Sequence, residues 1–315
     1  MAIVKLLLEN GAEVNAEVAK YGNALHASCA RKRHDEIVKL LLENGAEVNA
    51  EGGQYGNALQ AASYMGNEAI MKLLLENGAE VNAEGGEYGN ALQAASYMGN
   101  EAIVKLLLEN GAEVNAEGGQ YGNALQAASY MGNEAIVKLL LDNGAEVNAE
   151  GGKYGSALQA LAASYRSNKE LLVNGKRGRN RNALQAVSYG CTEAIVKLLL
   201  DNGAEVNSEG GEYGNALQAA SYMGNEAIVK LLLENGAEVN AEGGEYGRAL
   251  QAASYRGSKA IVKLLLENGA EVNAEGGQYG TALQAASYKG YKAIIKLLLE
   301  NGAEVNADKA QYGTL

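Results

Sequence analysis

The chain has 315 residues, of which 47% are hydrophobic and 20% charged, with 41 glycines, no proline and a formal net charge of −12. That acidity argues against a protein that tracks a phosphate backbone, which needs a basic stripe to displace counterions. The apolar content excludes wholesale disorder, and no apolar run approaches the roughly 18 residues that span a bilayer, so neither nucleic acid nor membrane is an expected partner.

Residues 1–20 carry AIVKLLLENG, which recurs in the interior at Ala102 and, ending in LLLDNG, at Ala135. The segment therefore reads as the second half of a repeated module and not as a signal peptide. Full modules begin at residues 21, 55, 88, 121, 180, 213, 246 and 279, and Tyr55, Tyr88 and Tyr121 open an identical string, YGNALQAASYMGNEAI, every 33 residues. A period of that length marks a stacked repeat architecture, so the chain is expected to be one array. One module, 154–179, is short, and 312–315 is a stub. The short module predicts a kink or gap across 166–181, where Lys176, Arg177, Arg179 and Arg181 are read as a solvated connection. Both ends cut through a module without a polar cap, so the array is expected to belong to a longer protein.

Within one module Asn57 is expected to cap a first helix from Ala58 to Met65, ended by Gly66. Glu68 to Glu76 form the second helix, with Ile70, Leu73 and Leu74 on one face and Glu68 paired to Lys72. Gly78 is the left-handed stop, Val81 anchors a short extended segment, and Glu84 to Gly89 supply a flexible turn. Two short helices and a turn bury no core alone, so each module stacks on its neighbours.

ALQAAS, a glycine and then IVKLLLENGAEVNA make a string that resembles the ankyrin repeat, over nearly the whole chain. The resemblance implies an all-α fold: an ankyrin-repeat solenoid of stacked helix-turn-helix units joined by β-turn or hairpin fingers. Asn57, Ala58 and Gln60 stand where the family has Thr, Pro and His; Asn can still cap and Gln can still bridge neighbouring backbones. The YGNALQAAS wording with its GGxYG turn also looks like the arrays of filamentous fungi, including those of fungal NLR-like receptors.

In ankyrin proteins the turns and first-helix ends line the face that grips partners, and the copies here differ at those places. The residue before the turn tyrosine varies among Gln54, Glu87, Lys153 and Gln278; the one after the turn glycine among Asn57, Ser156, Arg248 and Thr281. At the first-helix end Met65 gives way to Arg256 or Lys289. Tyrosines form two expected ladders, one at the turn and one at the first-helix end, and the second is read as a recognition strip. The expected partner-binding residues are Tyr64, Met65, Tyr97, Met98, Tyr130, Met131, Tyr222, Met223, Tyr255, Arg256, Tyr288 and Lys289, with Gln54, Glu87 and Arg248 at the turns.

No catalytic, cofactor-binding or metal site is expected. His26, Cys29 and His34 lack a fourth ligand, and His26 stands where other modules have glutamine. GGxYG lacks the ending of a phosphate loop. Cys29 and Cys191, about five modules apart, are not expected to pair. The sequence thus predicts a non-catalytic protein-interaction array in a reducing compartment, cytoplasmic or alternatively nuclear. A structural spacer, and a regulatory segment of an enzyme or NLR-like NTPase encoded upstream, are the alternatives.

Overall fold

A computed structural model describes residues 1–17, 22–31, 33–164 and 193–305. The chain divides into two compact units, Met1–Glu146 and Val147–Leu315.

The first unit holds α1 (Ala2–Glu9), α2 (Ala24–Cys29), α3 (Asp35–Glu43), α4 (Ala58–Met65), α5 (Glu68–Glu76), α6 (Ala91–Met98), α7 (Glu101–Glu109), α8 (Ala124–Met131) and α9 (Glu134–Asp142). Each first helix packs on its own second helix and on the first helix of the next layer, as α4 does on α5 and α6. Small residues permit this close stacking: Ala58, Ala61 and Ala62 are sealed beside Leu59, and the second helix contributes Ile70, Met71 and Leu74. Fully burying a leucine of this kind contributes about 2 kcal/mol.

The first helix begins as the sequence predicts. The Asn57 side chain accepts from the Gln60 backbone N–H at 2.8 Å, and the Gln60 side chain accepts from the Asn57 N–H at 2.9 Å, a complete capping box. Gly66 ends the helix at φ +70°, in the left-handed region. Val81 departs from expectation: it lies in a turn closed by the Ala83 N–H on the Glu80 carbonyl at 3.3 Å, not in an extended segment. The hairpin finger is reduced to a single bridge, Gly85 to Gly89.

Layers are joined by side-chain clamps that repeat with the period. Asn82 donates to the Gly111 carbonyl at 3.1 Å and accepts from the Glu113 N–H at 2.9 Å. The turns also touch, the Glu87 N–H donating to the Gln54 carbonyl at 3.3 Å. Gly86 makes that approach possible, because a Cβ there would strike the Tyr55 carbonyl group and its φ is +64°.

The second unit holds α10 (Ala157–Ala163), α11 (residues 193–201), α12 (Ala216–Met223), α13 (Glu226–Glu234), α14 (Ala249–Arg256), α15 (Lys259–Glu267), α16 (Ala282–Lys289) and α17 (Lys292–Glu300). Here α10 packs directly on α12 as consecutive first helices do elsewhere. Gln159 donates to the Ser208 and Gly214 carbonyls at 2.7 and 3.2 Å, across 49 and 55 residues, where Gln60 makes the same two bonds across 23 and 29. Asn148 reaches Gly203 across 55 residues where Asn82 reaches Gly111 across 29. The repeated clamps are thus made here at longer range, with Tyr154 and Tyr213 standing 59 residues apart, 26 more than the period. The expected kink over 166–181 and the start of a separate module at 180 lie outside the described residues.

Candidate partner-binding face

Tyrosines at the turn and at the first-helix end do not form two ladders. They interleave into one zigzag row in each unit. In the first unit the ring centroids run Tyr55 to Tyr64 at 5.1 Å, Tyr64 to Tyr88 at 4.9 Å, Tyr88 to Tyr97 at 5.2 Å, Tyr97 to Tyr121 at 4.7 Å and Tyr121 to Tyr130 at 5.2 Å. In the second, Tyr213, Tyr222, Tyr246, Tyr255, Tyr279 and Tyr288 follow one another at 4.3 to 5.4 Å. These spacings suit offset and tilted aromatic pairs, each worth roughly 0.5–1.5 kcal/mol beyond area burial.

The two kinds of tyrosine differ in exposure. Tyr88, Tyr121 and Tyr246 at the turn are buried, while Tyr64, Tyr97, Tyr130 and Tyr255 at the helix end are half-buried and show an edge to solvent. Burial pushes the Tyr88 phenol well above its ordinary value, helped by a hydrogen bond with Tyr64; Tyr246 is raised in the same way beside Tyr222. Tyr88, Tyr121 and Tyr246 are thus packing residues beside the helix-end rings, while Tyr55, Tyr213 and Tyr279 at the same module position are half-buried.

Beside those rings stand Met98 and Met131, 40% and 43% exposed. Met65 is half-buried, and Gln54 and Glu87 are exposed at the turn, joined by a hydrogen bond of 3.3 Å. Glu87 is close enough to Tyr55 and Tyr88, and Glu245 to Tyr246, Tyr255 and Tyr279, to act on their phenols electrostatically. The aromatic row thus runs past one acidic turn residue in each unit, Glu87 and Glu245, with exposed methionines beside it in the first. Arg256 is half-buried and Tyr288 and Lys289 are exposed at the far end of the second row.

Three sequence-selected residues fall elsewhere. Tyr222 and Met223 are 7% and 3% exposed, so unlike Met98 and Met131 they offer little surface. Arg248 is a clamp: it donates to the Asn240 and Glu275 carbonyls and pairs with Glu242 at 3.0 Å. Its position is that of the helix cap, and Arg248 itself is half-buried there. Asn57, Ser156 and Thr281 there are buried N-caps, and Arg248 leaves α14 without a side-chain cap.

His26 spends both ring nitrogens on structure, Nδ1 accepting from the Asn23 N–H at 3.2 Å and Nε2 meeting the Ala50 carbonyl at 2.8 Å. Cys29 is buried, and burial pushes its thiol far above the reactive range. Among the described residues no three His, Cys, Asp or Glu side chains are grouped to hold a metal ion. A shallow groove between α3 and α5, lined by Asp35, Lys39, Lys72 and Glu76, lies on the second-helix side and carries both signs of charge.

Helix pairs stacked by repeating side-chain clamps, with an aromatic strip along the turns, define a repeat solenoid. The family model for ankyrin repeats, described as three copies, matches residues 1–85, 83–151, 153–243 and 244–309, so the chain belongs to the ankyrin-repeat family. Among solved structures it is similar to the human ASB11 ankyrin repeat domain, at 26% identity and a TM-score of 0.60, over 78% of this chain and 98% of that one. A comparison with curated protein sequences finds no match. Ankyrin repeats generally mediate protein–protein interaction and are non-catalytic modules. No helix among the described residues is long and apolar enough to cross a membrane.

Proposed function

We propose that the chain is a non-catalytic recognition array whose partner protein lies along the turn and first-helix strip of Tyr64, Met65, Tyr97, Met98, Tyr130 and Met131 in the first unit, with a corresponding strip of Tyr255, Arg256, Tyr288 and Lys289 in the second. One observation carries this reading: Tyr64, Tyr97, Tyr130 and Tyr255 keep an exposed edge, with Met98 and Met131 exposed beside them, although Tyr88, Tyr121 and Tyr246 in the same rows are buried. Rigid aromatic rings and adaptable methionines suit an interface. The charge of −12 favours a neutral or basic protein partner over nucleic acid.

The YGNALQAAS wording supports a place in a larger intracellular protein of the filamentous-fungal type, the arrays of NLR-like receptors among them. The array would then be the sensing part, and any enzymatic activity would belong to another domain. The test is capture of partners by the full chain against a variant with Tyr97, Met98, Tyr130 and Met131 changed to serine. Loss of the captured set in the variant is the expected result. Equal capture by both would refute the assignment and favour a spacer, which loses function only when whole layers are deleted.

A further inference from the structure

Lys289 follows the helix-end Tyr288 and folds back over the preceding layer. Its Nζ lies 4.2 Å from the centroid of Tyr255 and 5.7 Å from that of Tyr288. A cation over a tyrosine face is held by the ring quadrupole; the Tyr255 phenol is lowered by hydrogen bonding with Tyr279 and then with Lys289, whose amine is raised in turn. The second unit thus carries its own cation on its tyrosine row. In the first unit the residues at the same place in the module are Met98 and Met131, uncharged and exposed. The first unit keeps the rings and one acidic turn residue, Glu87, which acts on Tyr55 and Tyr88, but supplies no lysine at those module positions.

Resting on the recognition strip proposed above, we infer that the partner is an extended basic segment whose Lys or Arg side chains enter the tyrosine row of the first unit, one per layer, in the way Lys289 enters that of the second. The spacing can be stated. Helix layers stack about 9–10 Å apart, and three residues of extended polyproline-type chain cover about 9 Å. Basic residues at every third position of the partner therefore match the layers, whereas adjacent ones do not. Each cation meets a tyrosine face, and Glu87 supplies the opposite charge at the edge.

The test uses the full chain and fluorescein-labelled twelve-residue peptides in anisotropy titrations at physiological salt. One peptide has lysine at every third position with glycine and serine between; an isomer has the same four lysines in one block; a third replaces lysine by glutamate. The spaced peptide is expected to bind about tenfold more tightly than the block isomer, and the glutamate peptide not to bind. Met98→Lys, at an exposed position, should weaken the spaced peptide by about fivefold or more by placing the chain's own cation on the row, and Glu87→Gln should weaken it in the same direction. Equal affinity for spaced and block peptides, with Met98→Lys changing both alike, would mean diffuse charge attraction and overturn the inference. Absence of binding by any lysine peptide, while the partner-capture test succeeds, would also overturn it and leave the recognition strip standing.

Discussion

The side-chain amide of Gln60 donates to the carbonyl of Gly89 at 3.1 Å, so a first-helix residue of one layer holds the turn of the next. It also donates to the Ala83 carbonyl at 3.0 Å while accepting from its own N-cap. One buried side chain thus serves helix initiation, turn closure and layer stacking together.

Removing it should therefore cost more than an average hydrogen bond. Gln93→Ala, in the middle of the first unit, leaves the Ala116 and Gly122 carbonyls and the Asn90 N–H without this partner. A loss of about 2–3 kcal/mol is expected in urea unfolding. Gln93→His should cost less, because His26 keeps two of the three contacts in its own layer.

His26 gives the fold a pH dependence with a definite sign. Burial, opposed by the Ala50 carbonyl and by Glu17, depresses its pKa below the usual histidine value. Protonation would also turn Nδ1 from acceptor into donor, facing the Asn23 N–H. Between the depressed value and about 6.5 the unfolded chain binds more protons than the folded one, so stability rises with pH and is lost as pH falls through the folded pKa. Urea midpoints should drop from about pH 7 to about pH 5.5, and His26→Gln should flatten that drop.

Gly86 is the point of nearest approach between turns. Gly86→Ala combines a left-handed backbone with a clash against the Tyr55 carbonyl group. It should destabilise by about 1–3 kcal/mol and loosen the neighbouring Tyr55 and Tyr88, read as increased solvent access by tyrosine fluorescence quenching.

Gln159 of α10 donates to the Ser208 and Gly214 carbonyls as Gln60 does to Ala83 and Gly89, over a longer stretch of chain. Excising the 26 residues 165–190 should restore a 33-residue module between Tyr154 and Tyr213. The shortened chain is expected to keep its helical circular dichroism and its cooperative unfolding. Loss of cooperativity would show that the excised residues hold the layer.

How much of this was legible follows from what the period encodes. The helix limits Ala58–Met65 and Glu68–Glu76, the Asn57 cap and the Gly66 stop could be read directly, because each rests on local chemistry repeated in several identical copies. The role of Arg248 could not be read from variation alone. Asn57, Ser156 and Thr281 are all good caps, and that shared property, more than their difference, was the signal. The interleaving of the tyrosines within each unit was hidden because residues such as Tyr64 and Tyr88 are 24 residues apart and meet only when one layer is set on the next. The Gln159 bonds to Ser208 and Gly214 were hidden for the same reason, since they join residues 49 and 55 apart.

The central claim, that partners are gripped along the turn and first-helix strip, is tested most directly by amide hydrogen exchange of the full chain with and without a captured partner. Slowed exchange is predicted over 84–98 and 117–131, which carry the turns and first helices. Protection confined instead to the second helices, Glu101–Glu109 and Glu134–Asp142, would contradict it.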